Sequence, residues 1–183
     1  MVRKVDIDNR SAVMALFLDN PKRSYHVRGV ARALVISPRT AKKYLSVLAR
    51  DGMLIREKSG IYENYRADRQ SQEFRDLKVF HTIRKLRACG VIGFLESKFN
   101  YPAIMLYGSA ARGEDDEGSD IDIFVVTKTK TDEIDTGAFA KKLGHNLHVI
   151  IMGESDLRSG KNKELVNNAL NGMVVSGFVE AFK

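Results

Sequence analysis

The segment from Leu106 to Val126 constrains the fold more than any other part of this chain. Its apolar start predicts a buried strand that ends at the turn Gly108-Ser109, and a short helix and a polar loop are expected to follow. A second apolar run, Ile123–Val126, predicts another buried strand. The segment therefore predicts a strand, turn, helix, loop and strand in that order.

Two acidic residues stand where the second strand begins. Asp120 and Asp122 flank Ile121, and residues two apart on a strand point to the same face. Carboxylates placed side by side raise each other's pKa, and a divalent cation such as Mg²⁺, which prefers oxygen ligands, removes that repulsion. The backbone N–H groups of a glycine turn before a helix suit phosphate. Either feature alone is more often structural, but together they predict chemistry on a metal–nucleotide complex.

The spacing of these residues resembles that of the nucleotidyltransferases of the DNA polymerase beta superfamily, especially its minimal prokaryotic members. The Gly-Ser pair is followed by ten residues, and then by two aspartates with one apolar residue between them. The resemblance implies that Gly108 and Ser109 bind the triphosphate of ATP or another NTP, and that Asp120 and Asp122 hold Mg²⁺ or Mn²⁺. Arg112 lies in an Ala-Arg-Gly stretch that is similar to one in the family. Phosphate binding and a plain surface position account for Arg112 equally well.

The family carries a third acid on a later strand, where it helps to bind the catalytic metal and deprotonates the acceptor hydroxyl. The candidate strand is Leu147–Met152, and His148 stands at the position of that acid. A histidine can act as a base near neutral pH, but it is a poor Mg²⁺ ligand and carries no negative charge. His148 is therefore a catalytic candidate that departs from the family, and a strand residue facing a polar cleft is an equally good interpretation.

The positive charge of the chain is concentrated in its first part. Residues 1–70 contain 15 Lys/Arg and 7 Asp/Glu, a net charge of +8, whereas residues 71–183 contain 15 and 16, a net charge of −1. A basic region joined to a nearly neutral remainder predicts a module that binds a polyanion.

The basic region has the pattern of three helices followed by a β-hairpin. Ser37 is a suitable N-cap and Pro38 a suitable first residue for the third helix, and the hairpin turn is predicted at Lys58–Gly60. This pattern resembles the winged helix-turn-helix domains of prokaryotic transcription regulators. The resemblance implies that the third helix enters the major groove of double-stranded DNA. The candidate DNA-binding residues are Arg39, Thr40, Lys42, Lys43 and Lys58. A solvated charged face, or a protein contact, is the alternative.

The fold class predicted for the whole chain is α+β with two domains. A winged helix-turn-helix over residues 1–70 is followed by a connecting helix over residues 71–100 and by a nucleotidyltransferase domain over residues 101–183, with a mixed sheet and flanking helices. The connecting helix is compatible with packing on the transferase domain or with formation of a homodimer.

The location of the protein is predicted from what the sequence lacks. No apolar run approaches the roughly 20 residues that span a membrane, and the N-terminus has no apolar signal core. The single cysteine, Cys89, excludes a disulfide within the chain. We therefore expect a cytoplasmic protein with no membrane partner.

Two functions agree with these patterns. The first is a DNA-binding enzyme that transfers NMP from an NTP to an acceptor hydroxyl, with a protein side chain among the candidate acceptors. The second is a transcriptional regulator whose nucleotidyltransferase domain only binds nucleotide or is catalytically impaired, which His148 favours. Modification of a small molecule has less support because it leaves the DNA-binding module without a role.

Overall fold

The computed structural model describes residues 4–59, 62–128, 134–158 and 162–179. The chain divides into two compact units, Met1–Lys78 and Val79–Lys183. The tip of the predicted hairpin, at Gly60, and most of a helical turn that the sequence predicts at Phe178–Phe182 lie outside these residues. Within them, no helix is long and apolar enough to cross a lipid bilayer.

The first unit combines helices with a small antiparallel sheet. Its elements are α1 (Lys4–Asp19), β1 (Tyr25–His26), α2 (Val27–Ala33), α3 (Pro38–Arg50), β2 (Leu54–Ser59) and β3 (Tyr62–Ala67). The strand order is β1-β3-β2, with β3 antiparallel to both neighbours. Strand β1 is not predicted by the sequence, because two residues are too few to show the alternation of a strand.

Helix α3 begins where its capping residues predict. Ser37 is the N-cap, its Oγ accepts a hydrogen bond from the backbone N–H of Thr40 at 3.0 Å, and Pro38 occupies the first turn. The buried stripe of the helix contains Ala41, Tyr44, Leu45 and Leu48. The opposite side is left to polar residues, so α3 is anchored by its apolar stripe and exposes its basic residues.

The turn between α2 and α3 holds an unfavourable backbone conformation. Val35 has φ +54° although its side chain is β-branched and 93% exposed. A branched Cβ is strained in the left-handed region, and this side chain offers little packing in return. Val35→Gly is therefore expected to raise the free energy of unfolding by about 0.5–1 kcal/mol, because relief of strain exceeds the added entropy of the unfolded chain.

Thermal unfolding of the full chain checks this expectation. The matched control is Ala33→Gly, at an exposed residue within α2. In a helix, glycine lowers stability by up to about 1 kcal/mol relative to alanine. Equal destabilisation by both glycine variants would show that Val35 is not strained.

The second unit is built from helices around a larger sheet. Its elements after the linking helix α4 (Gln72–Cys89) are α5 (Val91–Lys98), β4 (Ala103–Tyr107), α6 (Gly108–Ala111), β5 (Ile121–Thr127), α7 (Gly137–Leu143), β6 (Leu147–Gly153), α8 (Glu154–Arg158), α9 (Lys163–Leu170) and β7 (Met173–Ser176). The predicted connecting helix is thus two helices. Gly90 lies between them with φ +92°, a left-handed conformation that ends α4.

The sheet of the second unit is mixed, as the sequence predicts. Its strand order is β6-β5-β4-β7, and β5 is antiparallel to β4 but parallel to β6. One face packs in a cluster that includes Leu106 and Ile123, and the other in a cluster that includes Phe124 and Ala169 of α9. Because strand residues alternate between faces, Asp122 lies on the same face as Phe124. On this face of β5, the carboxylate of Asp122 therefore lies at the end of the sheet, next to a row of apolar side chains.

Candidate functional site

The glycine turn after β4 lies directly beside the second acid. Gly108 has φ +70°, and a Cβ atom added to it would lie 2.6 Å from Oδ2 of Asp122. A glycine is required here for two reasons, since the left-handed backbone disfavours a side chain and the carboxylate occupies its space. The fold therefore brings together two parts of the motif that are 14 residues apart in sequence.

Asp122 is flanked by one residue from each neighbouring strand. Tyr107 of β4 and His148 of β6 are its register partners. Nδ1 of His148 lies 3.3 Å from Oδ1 of Asp122, and the two side chains are 63% and 27% exposed. The structure thus brings Gly108, Asp122 and His148 together at one end of the sheet.

Asp120 lies one residue before β5 and has a different partner. Its Oδ1 accepts a hydrogen bond from Nδ2 of Asn146 at 3.0 Å, and the residue is exposed. In the part of the chain that the structure describes, no three His, Cys, Asp or Glu side chains lie close enough together to hold a metal ion. Asp120, Asp122 and His148 therefore do not form a compact cage of three ligands.

The two carboxylates nevertheless suit a divalent cation such as Mg²⁺. Mg²⁺ is usually bound by one or two carboxylates together with the phosphates of a substrate, rather than by a complete cage of protein ligands. Asp120 and Asp122 supply such carboxylates, and the absence of a side chain at Gly108 leaves backbone next to Asp122. The residues present therefore fit a divalent cation that is shared with a nucleotide.

Tyr107, the β4 neighbour of Asp122, is a neutral phenol at neutral pH. Burial, and secondly the negative charge of Asp122, raise the pKa of Tyr107 above its ordinary value. The Tyr107 ring packs edge-on against Phe124 with centroids 6.3 Å apart. At neutral pH the β4 neighbour of Asp122 therefore adds no charge to the site.

The remaining predicted nucleotide residues lie on α6 and just after it. Ser109 is half-buried, and its carbonyl oxygen accepts hydrogen bonds from the N–H groups of Arg112 and Glu114 at 3.1 and 3.0 Å. Arg112 is exposed, and its Nε donates to Glu114 at 2.7 Å. Among the described hydrogen bonds, none joins Arg112 to Asp120, Asp122 or His148, so an ion pair at the surface accounts for its position in this structure.

Two residues just before β6 were not among the predicted site residues. Asn146 donates to Asp120, and Nδ1 of His145 lies 3.0 Å from the carbonyl oxygen of Ser119. The sequence gives one indication of their role, because His145, Asn146 and His148 are polar residues next to the start of an apolar strand. This pattern identifies contacts with the two acids only once β6 is known to run parallel to β5.

The candidate DNA-binding residues lie in the first unit and differ in their contacts. Arg39 is exposed at the start of α3 and has no ion pair with any residue that the structure describes. Thr40 is half-buried, and its Oγ1 lies 2.8 Å from Oγ of Ser37 within the helix cap. Lys43 lies over the Tyr44 ring at 5.0 Å from its centroid. Of these three residues, only Arg39 carries a guanidinium, and it is exposed.

An acidic residue of β3 lies beside two of the basic residues. Arg56 donates a hydrogen bond to Glu63, and Nζ of Lys42 lies 4.0 Å from the same carboxylate. The Arg56 guanidinium, above all, holds the pKa of Glu63 below its ordinary value of 4.5. Glu63 is therefore ionised at neutral pH and offsets part of the positive charge near α3, whereas Lys58 on β2 is simply exposed.

The comparison with protein families agrees with the geometry of the second unit. The family described as polymerase beta, nucleotidyltransferase matches residues 90–173. The match supports the nucleotidyltransferase superfamily. It includes the glycine turn, both acids and His148, and it suggests NMP transfer in general with an NTP as substrate. Comparisons with curated proteins and with solved structures gave no match.

Proposed function

We propose that the second unit transfers NMP from an NTP to an acceptor hydroxyl with Mg²⁺ or Mn²⁺, and that the first unit binds double-stranded DNA. The observation that carries the transferase assignment is the contact between the glycine turn and Asp122. The backbone of Gly108 and the carboxylate of Asp122 lie so close that even a methyl group does not fit between them. A triphosphate held at the turn would be adjacent to the carboxylates that hold its cation.

Each residue of the site has a role in this proposal. Gly108 and Ser109 bind the triphosphate through the backbone of the turn, and Asp120 and Asp122 hold the cation. When bound, the cation would neutralise negative charge on the phosphates. His148 is exposed beside Asp122 and is the candidate base for the acceptor hydroxyl. The acceptor oxygen bonds to the α-phosphorus, the bond to the β,γ-phosphates breaks, and pyrophosphate leaves.

Transfer is tested by supplying the full chain with each α-³²P-labelled NTP and Mg²⁺ or Mn²⁺. Label in DNA, in this chain or in an added protein identifies the acceptor, and released pyrophosphate confirms the reaction. Asp122→Asn is the control. Label that appears equally with the wild type and with this variant would rule out the assigned site.

The alternative function is a regulator that binds nucleotide without transferring it. It is favoured by the imidazole of His148 at 3.3 Å from Asp122, where the family carries a third acid. In this case NTP binding depends on Mg²⁺, but no pyrophosphate is released with any acceptor. The labelling experiment therefore separates the two functions.

DNA binding is supported by the charge and the element order of the first unit. Residues 1–70 have a net charge of +8, and helices α2 and α3 are followed by a two-stranded hairpin, as in a winged helix. We expect log affinity for duplex DNA to fall linearly with log salt, by about 0.9 for each phosphate that is neutralised. Glu63→Gln is expected to tighten binding about two- to fivefold, because an exposed charge contact has effects of that size and Lys42 is released from Glu63.

Gel retardation of the full chain over a series of salt concentrations measures both effects. Arg39→Ala should reduce preference among DNA sequences more than Lys42→Ala does, since arginine reads guanine edges while lysine mainly neutralises phosphate. Binding that does not respond to salt, or that is unchanged by all three substitutions, would argue for a protein contact in place of DNA.

A further inference from the structure

Side-chain contacts connect the chain at and just before the starts of β5 and β6 at three positions. Contacts connect His145 to Ser119, Asn146 to Asp120, and His148 to Asp122. Two of the three contacts end on the carboxylates that the proposed function assigns to the cation. Side chains from just before β6 and from its second position therefore contact both carboxylates.

Asp120 depends on this arrangement more than Asp122 does. Asp122 lies inside the sheet between two register partners, whereas Asp120 precedes β5 and is exposed. An exposed aspartate samples several rotamers unless a hydrogen bond selects one. Among the residues that the structure describes, Nδ2 of Asn146 donates a hydrogen bond to the Asp120 carboxylate at 3.0 Å.

Asn146 is itself held in place by the backbone. The N–H of Ile121 donates to the carbonyl oxygen of Asn146 at 3.0 Å, immediately before the ladder in which Ile121 pairs with Leu147. The amide is also a neutral donor, so it orients Asp120 without removing its negative charge. Because it occupies Oδ1, the other carboxylate oxygen is left to face a cation.

We propose that Asn146 is a positioning residue that holds Asp120 ready for the divalent cation of nucleotide transfer. This inference rests on the proposed function of the second unit. Groups that orient a metal ligand typically affect metal affinity 10- to 100-fold, and the exposed position of this pair puts the effect near the lower limit, about tenfold. The effect should fall on cation binding and not on the rate once the site is full.

The experiment measures Mn²⁺ binding to the full chain in the presence of a non-hydrolysable α,β-methylene NTP, by water-proton relaxation enhancement, because the cation is shared with the nucleotide. Asn146→Ala is expected to bind Mn²⁺ about tenfold more weakly than wild type. Asn146→Asp, which faces Asp120 with a second carboxylate, should move the pH of half-maximal Mn²⁺ binding upwards because the two carboxylates compete for a proton. The matched control is Asn168→Ala, at an exposed residue of α9, and it should change neither quantity.

A second readout uses transfer. For Asn146→Ala, the Mn²⁺ concentration at half-maximal rate should rise about tenfold while the rate at saturating Mn²⁺ returns to that of the wild type. A general structural defect would lower both the saturated rate and the melting temperature.

The outcomes separate this inference from the function on which it rests. If Asp120→Asn and Asp122→Asn lose Mn²⁺ binding while Asn146→Ala and Asn146→Asp behave as the wild type, Asn146 has no positioning role and the cation site stands. If both aspartate variants bind Mn²⁺ as the wild type does, the cation site and the role of Asn146 are both overturned.

Discussion

Asp122→Asn is expected to abolish the metal-dependent part of NTP binding and to lower nucleotide transfer about 10²- to 10³-fold, as for the loss of other single electrostatic groups in active sites. Asp122 lies between Tyr107 and His148 and against Gly108, so it is the acid that the sheet fixes most firmly. Tyr107 is kept neutral and His148 carries no negative charge, and neither can take over cation binding from the carboxylate.

Calorimetry with NTP in the presence and absence of Mg²⁺ measures the first effect, and pyrophosphate release measures the second. Glu117→Gln is the matched control, because it removes one exposed negative charge from the loop between the turn and the acids. Asp120→Asn should behave as Asp122→Asn does. Equal affinity with and without Mg²⁺, unchanged in both aspartate variants, would leave the two acids as surface residues.

His148→Asp is expected to strengthen Mg²⁺ binding about tenfold or more and to raise the rate of any transfer, since a charge close to a bound cation contributes at least that much. The register pairs residue 148 with Asp122, so the new carboxylate would lie beside that acid, at the position predicted for a third acid. Without a cation, the additional repulsion should lower the melting temperature, and Mg²⁺ should restore it. Contacts of nucleotide with Gly108 and Ser109 should not change.

Two further substitutions determine which role His148 has. His148→Asn keeps a neutral polar side chain and should leave Mg²⁺ affinity unchanged, and His148→Ala should leave nucleotide affinity nearly the same. If the wild type transfers efficiently and His148→Ala is inactive, the histidine is the working base and the alternative of a catalytically impaired domain is wrong. If no substitution at this position changes metal affinity or rate, His148 lies outside the site.

The local part of this fold could be predicted from sequence because short-range physics determines it. The apolar run before Gly108 and the run after Asp122 specify strands β4 and β5, and Ser37 with Pro38 specifies the start of α3. Helices α7 and α8 were not predicted, since α7 buries Leu143 alone and α8 has five residues, so neither shows a clear apolar period. The break at Gly90 also depends on a backbone conformation that glycine permits but does not require.

Gly108, Asp120 and Asp122 could be assigned to one candidate motif before the fold was known, because their spacing and the apolar strands around them are local properties. The side chains that surround them became known only from the fold. Alternation along a strand assigns each residue to a face, but the neighbouring strand is chosen by burial of both faces of the whole sheet. The parallel placement of β6 beside β5 therefore brought His148 to Asp122 and Asn146 to Asp120, contacts between residues 26 positions apart in the chain.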